Sequence, residues 1–253
     1  MKLRVLVSVV LAMFCVSTAA ADTIVLRADE WCPYNCKPGA EKEGFMIDIA
    51  KAILGEAGHE VKYELQPWDK ALDSAREGQI DGVVGGDEED AAGFVFPKEA
   101  TAINSVCYYS RKGKDWKFKD ISSLEGAKLG VIEGYSYYPE LDEFLEGSPK
   151  NVVKINGKEA GKDLASRLIR GLFDVIAENE YVAPDLFGKE MDKIEATWCG
   201  GQSDIFVAFS PHASKKAKSE GYAKLMTEGM QKMRKDGRLK KILDKYGIKD
   251  WKK

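Results

Sequence analysis

The sequence is short of the groups and motifs on which most enzymes depend. It has only two histidines, His59 and His212, and neither lies in a local pattern that suggests catalysis. It has no G-x-S-x-G elbow, no H-E-x-x-H helix, and no glycine-rich nucleotide loop of the Walker or G-x-G-x-x-G type. These absences argue against serine hydrolases, zinc proteases and nucleotide-dependent enzymes, so we predict a protein that is not an enzyme.

Long apolar runs are missing as well, except at the N-terminus. Residues 5–16 are mostly apolar, follow Lys2 and Arg4, and precede three small residues at 19–21. This order of features is typical of a secretory signal peptide over residues 1–21. The apolar run is too short to span a bilayer. We therefore expect an exported, periplasmic protein from which the leader has been removed.

An excess of basic charge is also absent. The chain has 38 basic residues, and removal of Lys2 and Arg4 with the leader leaves 36 against 41 acidic residues, a net charge near −5. This balance argues against nucleic acid as a partner. The 232 residues that remain of the 253 after the leader are enough for one large domain or two modest ones.

Cysteine is sparse, but its number is informative. Four cysteines remain after the leader, and an even number in an exported protein favours disulfides over metal binding. Cys32 and Cys36 bracket a short loop and are the easiest pair to join, which would leave Cys107 and Cys199 for each other. The sequence leaves this connectivity open. Zinc needs a close-set group of ligands, and neither histidine lies near two cysteines, so we expect no metal and no cofactor.

What the sequence does contain is an alternation of strands and helices that occurs twice. In the first stretch, β-branched runs predict strands, and apolar residues at helical spacing predict helices. The strands are expected at 23–28, 61–65 and 80–84, and the helices at 44–54 and 69–77. This order is typical of an α/β layer with a mostly parallel sheet.

The second stretch repeats the pattern and is of similar size. Its strands are expected at 128–132, 152–155 and 174–177, and its helices at 138–145 and 161–170. A further strand at 205–209 precedes a strongly helical C-terminal segment, 217–246. Within that segment Gly221 and Gly237 are expected to separate helices, because glycine commonly ends them.

No low-complexity linker separates the two α/β units. They are joined by extended segments near 101–107 and 199–204. Two short crossings between two units imply a hinge beside a cleft. Ligand clefts in open α/β sheets lie beyond the carboxyl ends of the strands, so we expect a binding site there.

Four segments resemble the bacterial extracellular solute-binding proteins of family 3, which serve ABC transporters of polar amino acids. They are GFMIDIA at 44–50, a PW…GQID pattern from 67 to 81, LEGAKLGV at 124–131, and KDGRLKKI at 235–242 with KYG at 245–247. The segments span nearly the whole mature chain in the order of the family. The resemblance implies that lobe 1 comprises 22–103 and 204–253, and that lobe 2 comprises 104–203.

The fold implied by the resemblance is a two-lobed, periplasmic-binding-protein-like α/β fold of type II. Each lobe would be a mostly parallel sheet flanked by helices, and two crossing segments would join the lobes. A small solute would shift the population toward a closed form, because it contacts both lobes only there. The expected partner of the closed form is the membrane permease of an ABC transporter, and the protein is expected to be a monomer.

The resemblance fails where amino-acid-binding members hold their ligand. Such members usually carry an Arg in a T-x-x-R segment after the third strand, and this Arg clamps the ligand's α-carboxylate. The corresponding segment here, 85–96, contains no Arg. The family's ligand-binding Asp falls at Glu178 or Asn179, and its Gly-Thr-Thr turn becomes 134–137. The usual clamp for a zwitterion is therefore not evident.

Aromatic and acidic residues remain at the expected cleft, and they suit a cation through cation–π contacts of about 0.5–2 kcal/mol each. The candidate ligand-binding residues are Trp31, Tyr34, Trp68, Gly86, Asp87, Tyr135, Ser136, Tyr137, Glu178 and Asn179. A basic amino acid, a polyamine or a choline-like compound would fit. For Trp68 the sequence favours core packing and ligand contact equally. A charge run such as 87–90 is more often solvated than part of a site.

Two other functions remain open at this point. A sensory binding protein would dock on a receptor or kinase with the same closed surface, so the sequence does not separate it from a transport protein. Periplasmic cyclohexadienyl dehydratases are similar to the same family and use a cleft carboxylate as a general acid. Glu178 would fill that role if burial raised its pKa. That chemistry also needs basic groups for the substrate's carboxylates, and the absence of Arg counts against it.

Overall fold

The structure, a computed structural model, describes residues 21–157 and 159–252, so the predicted signal peptide lies outside it except for Ala21. The strands of the described chain are β1 (Thr23–Ala28), β2 (Glu60–Leu65), β3 (Gly82–Gly86), β4 (Ala102–Arg111), β5 (Leu129–Ile132), β6 (Val152–Ile155), β7 (Val175–Asn179) and β8 (Ile194–Phe209). The helices are α1 (Phe45–Glu56), α2 (Trp68–Arg76), α3 (Pro139–Glu146), α4 (Ala160–Ile169), α5 (Ala183–Phe187), α6 (Lys216–Asp236) and α7 (Arg238–Tyr246).

The eight strands form one sheet in the order β2-β1-β3-β8-β4-β7-β5-β6. β1 pairs in parallel with β2 and β3, and β5 pairs in parallel with β6 and β7. β8 and β4 lie at the centre and run antiparallel to their neighbours. The first half-sheet, β2-β1-β3-β8, and the second half-sheet, β6-β5-β7-β4, therefore have the same internal order. This repetition confirms the predicted two-lobed α/β fold.

Each half-sheet is covered by helices on both faces. On the first half-sheet, Phe45 of α1 and Met226 of α6 pack in one core, and Leu72 of α2 packs in another. On the second, Leu164 of α4 and Leu141 of α3 lie in separate cores. Sheets of parallel strands are normally buried on both faces, which explains why their strands read as nearly continuous apolar runs. The apolar interior is thus divided between the two halves.

The C-terminal helical segment differs from the sequence prediction at one glycine. Gly237 separates α6 from α7 and has a φ of 83°, a left-handed conformation that costs glycine little. Gly221 instead lies inside α6, so the predicted break there is wrong. Its neighbours Tyr222 and Met226 are buried in the core of the first half-sheet. Burial of such side chains outweighs the penalty of about 1 kcal/mol for a helical glycine. In the described parts of the chain no helix is long and apolar enough to cross a membrane.

The two joints between the α/β units are full strands. β4 and β8 form one antiparallel ladder that runs from Ala102 opposite Ile205 to Arg111 opposite Ile194. The sequence prediction recognised only the C-terminal part of β8, because the central part is polar and contains two adjacent glycines. We propose that the boundary between lobe 1 (22–103 and 204–253) and lobe 2 (104–203) falls inside this ladder.

Two disulfides confirm the predicted use of the four cysteines. Cys32 and Cys36 close a short loop after β1, with a sequence separation of 4. Cys107 of β4 and Cys199 of β8 join the two central strands, with a sequence separation of 92. One bridge therefore shapes a loop at the end of β1, and the other ties the two joining strands together.

Candidate ligand-binding cleft

A cavity lies between the two half-sheets, where the carboxyl ends of their parallel strands face each other. Asp29 directly follows β1, Gly85 lies in β3, and Tyr135 follows β5. The cavity encloses about 400 Å³ free of protein atoms, part of it open to solvent. It is lined by Asp29, Trp31, Asn35, Trp68, Val84, Gly85, Asp87, Asp90, Asn104, Tyr135, Ser136 and Ile205. Its position agrees with the general rule for open α/β sheets.

Two glycines shape the wall of the cavity. The pairing of β3 with β8 shifts register at Gly85, whose φ is 100°. Gly134 has a φ of 79° and turns the chain immediately after β5. Residues other than glycine rarely adopt these backbone conformations. The turn at Gly134 directs Tyr135 and Ser136 back over the cleft.

Five of the ten candidate ligand-binding residues line this cavity, namely Trp31, Trp68, Asp87, Tyr135 and Ser136. The ring of Trp31 stacks on Tyr34 with 4.2 Å between centroids, which holds the indole in a fixed orientation. Trp68 begins α2, packs in the core of the first half-sheet, and reaches the cavity with its edge. Trp68 therefore both packs in the core and lines the cavity, and the sequence had favoured core packing and ligand contact equally.

Tyr34 and Asn179 lie behind the cavity wall and connect the two half-sheets. The hydroxyl of Tyr34 donates to the backbone oxygen of Ile103 at 2.8 Å. The side-chain Nδ2 of Asn179 donates to the Tyr34 hydroxyl at 3.0 Å and to Asn104 Oδ1 at 2.8 Å. Because Asn104 itself lines the cavity, these two residues position the wall and do not form it.

Tyr137 and Gly86 are likewise removed from the cavity. Tyr137 is buried in the core of the second half-sheet, where its hydroxyl accepts the backbone N–H of Ile132 at 2.8 Å. A Cβ on Gly86 would lie 3.3 Å from the ring of Trp68, so the absence of a side chain there leaves space for the indole. Both residues support neighbours that reach the cavity.

Glu178 is the most deeply buried carboxylate beside the cleft, with 3% of its surface exposed. Its Oε1 accepts the indole Nε1 of Trp31 at 3.2 Å and the backbone N–H of Asn179 at 2.7 Å. Burial raises the pKa of Glu178 to about 7, although both hydrogen bonds oppose the rise. Glu178 lies at the end of β7, so its bond to Trp31 links the second half-sheet to the loop after β1.

Asp29 makes a second link of the same kind. The hydroxyl of Tyr135, from the second half-sheet, donates to Asp29 Oδ2. Burial raises the pKa of Asp29 to about 6, and the hydrogen bond from Tyr135 partly opposes this. Asp29 and Glu178 also repel each other, which adds to the pKa of Glu178. Each of the two carboxylates thus accepts a hydrogen bond from the opposite half-sheet, Asp29 from a hydroxyl and Glu178 from an indole.

The acidic run after β3 is divided between the cavity and solvent. Asp87 and Asp90 line the cavity, whereas Glu88 and Glu89 are exposed. Asp87 Oδ1 accepts the backbone N–H groups of Glu89 and Asp90, each at 3.0 Å. Asp90 Oδ2 accepts the indole N–H of Trp68 at 3.0 Å. Burial, together with the nearby Asp87, raises the pKa of Asp90 well above its usual range.

Seven residues of the wall are not among the ligand-binding residues predicted from the sequence, namely Asp29, Asn35, Val84, Gly85, Asp90, Asn104 and Ile205. Asp29 directly follows a predicted strand, so the strand-end rule applied to every strand would have found it. Val84 and Gly85 lie at the end of the strand predicted at 80–84 and fit the same rule, whereas Asn104 and Ile205 carry no such signal. Asn35 Oδ1 is a buried acceptor without a hydrogen-bond partner among the described residues, while its Nδ2 donates to the Asp29 backbone oxygen at 2.7 Å.

The wall of the cavity is acidic and aromatic. Its twelve residues include the carboxylates of Asp29, Asp87 and Asp90, and none of the twelve is Lys, Arg or His. Two indoles and one phenol ring add π faces. A site that offers acceptors and π faces without any basic donor is suited to a cation and unsuited to an anion.

Comparison with known proteins gives similarity over nearly the whole chain to a family model and to one curated relative, and over about half of it to another. The family model of bacterial extracellular solute-binding proteins, family 3, matches residues 24–249. The "Putative ABC transporter arginine-binding protein 2" of Escherichia coli (strain K12) is 24% identical, over 96% of this chain and 98% of that protein. The "Arginine-binding periplasmic protein" of Mannheimia haemolytica is 27% identical over 49% of this chain and 50% of that protein.

A solved structure shows the same fold. A histidine kinase sensor domain with similarity to periplasmic binding proteins superimposes with a TM-score of 0.72, at 19% identity over 88% of this chain and 95% of that one. At this identity the likeness concerns the fold alone. The family match covers both half-sheets and both faces of the cleft, and the chain belongs to the bacterial extracellular solute-binding proteins of family 3.

Proposed function

We propose that the protein captures a small, positively charged solute between its two lobes and delivers it to the permease of an ABC transporter. One observation carries this proposal, namely a cavity wall with three carboxylates, three aromatic rings and no basic side chain. Coulomb attraction in a partly dehydrated cavity is stronger than in water. Cation–π contacts add about 0.5–2 kcal/mol each.

Hydrogen bonds between the half-sheets support a mechanism in which the lobes close over the solute. Trp31 binds Glu178, and Tyr135 binds Asp29, in each case across the cleft. Lys162 Nζ lies 3.4 Å from a carboxylate oxygen of Glu30 at the rim. A cation placed among these carboxylates contacts both lobes only in the closed arrangement, so its binding would shift the population toward that form.

The descriptions of the two curated relatives support a cationic ligand independently of the cavity. Both curated relatives are described as arginine-binding, and arginine carries a positively charged side chain. The relative from Escherichia coli is also described as belonging to an ABC transporter. Delivery to a permease is the corresponding proposal for this chain.

We also propose that binding occurs without chemical conversion. Glu178, whose pKa is raised to about 7 by burial, is suited to proton transfer in principle. The cavity nevertheless lacks a basic side chain that would hold the carboxylates of a dehydratase substrate. Mass spectrometry of a bound solute, before and after long incubation, is expected to return the same compound. Recovery of a dehydrated product would contradict this proposal.

Thermal unfolding in the presence of a ligand panel tests the proposed function. The panel contains organic cations, neutral polar solutes and organic anions of similar size. A bound cation at about 100 times its dissociation constant would add about 2.7 kcal/mol to the free energy of unfolding, so its midpoint temperature is expected to rise. Neutral solutes and anions are expected to leave the midpoint unchanged. Stabilisation by anions or neutral solutes alone would contradict the proposal.

A further inference from the structure

The acidic residues of the cavity fall into two groups at the ends of neighbouring strands. We propose that the solute is a linear dication that carries N–H donors at both ends and no carboxylate, such as an aliphatic diamine or an aminoalkylguanidine. This inference rests on the proposed function and specifies its ligand class. It departs from the curated relatives, which are described as binding arginine, an amino acid with a carboxylate.

The first acidic group follows β1 and the second follows β3. Asp29 belongs to the first group and accepts the hydroxyl of Tyr135. Asp87 and Asp90 belong to the second, and Asp90 accepts the indole N–H of Trp68. The two groups line the same cavity, as does Gly85 at the bulge of β3. A single positive charge would compensate one group and leave the other without a partner.

An unpartnered acceptor next to the first group indicates that the ligand brings hydrogen-bond donors. Asn35 is 1% exposed and lines the cavity, and its Oδ1 has no hydrogen-bond partner among residues 21–157 and 159–252. Its Nδ2 is engaged with the Asp29 backbone oxygen, which sets the orientation of the amide. A buried acceptor that is left without a donor is unfavourable, so a ligand that supplies the donor gains affinity. A primary ammonium has three N–H donors and would bond Asn35 and Asp29 together, whereas a quaternary ammonium has none.

A carboxylate on the ligand has no complementary group in this cavity. An α-amino acid would place its carboxylate among Asp29, Asp87 and Asp90, and no Lys, Arg or His lines the wall. Like charges held close together in a partly buried site repel, and an unpaired buried anion is strongly disfavoured. The cavity wall also includes Val84 and Ile205, whose apolar side chains suit the alkyl chain of such a ligand.

Isothermal titration calorimetry with matched ligand pairs tests the absence of the carboxylate. The pairs are 1,4-diaminobutane with ornithine, 1,5-diaminopentane with lysine, and (4-aminobutyl)guanidine with arginine, so the members of each pair differ only by that group. In at least one pair the carboxylate-free member is expected to bind about 100-fold more tightly, because the amino acid leaves an unpaired anion. Equal or tighter binding of the amino acids would overturn the inference and leave the proposed cation-binding function standing. Binding of neither member of any pair, with binding of neutral or anionic solutes, would overturn both.

Two further ligands test the number of charges and the donors. Butan-1-amine has one positive end and is expected to bind about tenfold more weakly than 1,4-diaminobutane, since it leaves one acidic group without a partner. Choline, which has no N–H donor, is expected to bind more weakly than either amine. Equal affinity of the monoamine and the diamine would overturn the assignment of two charges. Tighter binding of choline would overturn the role given to Asn35.

Single substitutions locate the two ends of the ligand. Asp29→Asn and Asp90→Asn keep the shape and one acceptor oxygen of each side chain. Each is expected to weaken 1,4-diaminobutane about tenfold and to remove its advantage over butan-1-amine. Asp73→Asn is the control, because Asp73 is exposed on α2 and lies outside the cavity. Retention of the full diamine advantage in both cavity variants would overturn the inference, and cooperative unfolding curves without ligand would show that the variants are folded.

Discussion

The two half-sheets contribute differently to the cavity between them. The loops of the first half-sheet carry all three carboxylates of the wall, Asp29, Asp87 and Asp90, together with the indole of Trp31. The second indole, that of Trp68, begins α2 on the same half-sheet. Within the described chain, the second half-sheet contributes uncharged groups to the wall, among them Tyr135 and Ser136. Because charge attracts over a longer distance than a hydrogen bond, the first half-sheet is suited to the initial capture of a cation and the second to closure over it.

Glu178, at the end of β7 in the second half-sheet, lies behind the wall of the cavity. Glu178 accepts the indole N–H of Trp31, which belongs to the first half-sheet. Tyr135 donates in the opposite direction, to Asp29. In these two bonds each half-sheet donates to a carboxylate of the other, so that loss of either bond should affect closure more than capture.

The largest effect is expected from removal of the disulfide that ties together the two strands joining the half-sheets. The pair Cys107→Ala and Cys199→Ala removes the bridge between β4 and β8, which closes a loop with a sequence separation of 92. In the chain-entropy model this lowers the free energy of unfolding by about 4–5 kcal/mol. The pair Cys32→Ala and Cys36→Ala opens a loop with a separation of only 4, and about 2 kcal/mol is expected. Urea unfolding of both variants measures the difference.

Reduction of the wild-type protein provides the control for side-chain effects in this experiment. It should reproduce the sum of the two losses without any change in sequence. An equal loss of stability from the two bridges would contradict the assignment of the larger role to the bridge between β4 and β8.

A smaller effect is expected from a substitution that weakens closure of the cleft and leaves capture of the cation intact. Trp31→Phe keeps an aromatic face in the wall but removes the N–H that Glu178 accepts across the cleft. Hydrogen bonds to charged groups contribute about 1.5–3 kcal/mol, so affinity for the cation is expected to fall by about tenfold or more. The change should appear mainly as faster dissociation, because capture by the acidic loops is retained. Stopped-flow measurement of both rates checks this.

The matched control for this substitution is Trp198→Phe. Trp198 lies on β8 in an aromatic cluster with Tyr108 and Phe118, outside the cavity wall. Its replacement should leave both rate constants unchanged. If Trp31→Phe slowed association and left dissociation unchanged, the division of roles between the half-sheets would be wrong.

The smallest expected effect is a dependence of affinity on pH. Burial raises the pKa of Asp29 to about 6 and that of Glu178 to about 7. Glu178 also accepts the indole N–H of Trp31. The titratable groups near the two carboxyls are each other and five tyrosines, none of them basic, namely Tyr34, Tyr63, Tyr109, Tyr135 and Tyr137. Protonation of either carboxyl removes attraction for a cation, so affinity should fall several-fold as the pH is lowered from about 7.5 to about 5. Calorimetry across this range measures the slope.

Without ligand, the free energy of unfolding should change with pH in the opposite direction to the affinity for the cation. A carboxyl whose pKa is raised by folding binds more protons in the folded state than in the unfolded state. The contribution of Asp29 and Glu178 to the free energy of unfolding is therefore complete below pH about 4 and is lost as the pH rises through about 6 and about 7. Asp29→Asn should flatten both profiles, and Asp73→Asn should flatten neither. An affinity that rises toward acid pH would contradict the role of these carboxylates.

The regular elements were largely predictable from local pattern. The expected bounds of β1 and β6 agree with the structure, and most other elements differ by one or two residues. Gly221 shows where local reasoning fails, because the core beneath α6 stabilises a helix that glycine alone would weaken. β4 was expected only as an extended joint, since its pairing with β8 depends on residues about one hundred positions away.

The wall of the cavity was predictable only in part. Trp68 begins α2, Tyr135 lies in the loop after β5, and both line the cavity, as the strand-end rule suggests. Tyr34 and Tyr137 satisfy the same rule and yet lie behind the wall. Side chains in these loops point toward the cleft or away from it according to their tertiary hydrogen bonds, which the sequence does not display.

The sequence by itself determined the alternation of strands and helices, the disulfide use of its cysteines and the membership of a family, because each depends on local spacing or on short motifs. The tertiary structure decided which carboxylates meet in one cavity and which aromatic rings face it. Glu178 of the second half-sheet faces Asp29 only because the two half-sheets meet across the cleft. The burial that raises the pKa of Asp29, Asp90 and Glu178 has no counterpart in the linear chain.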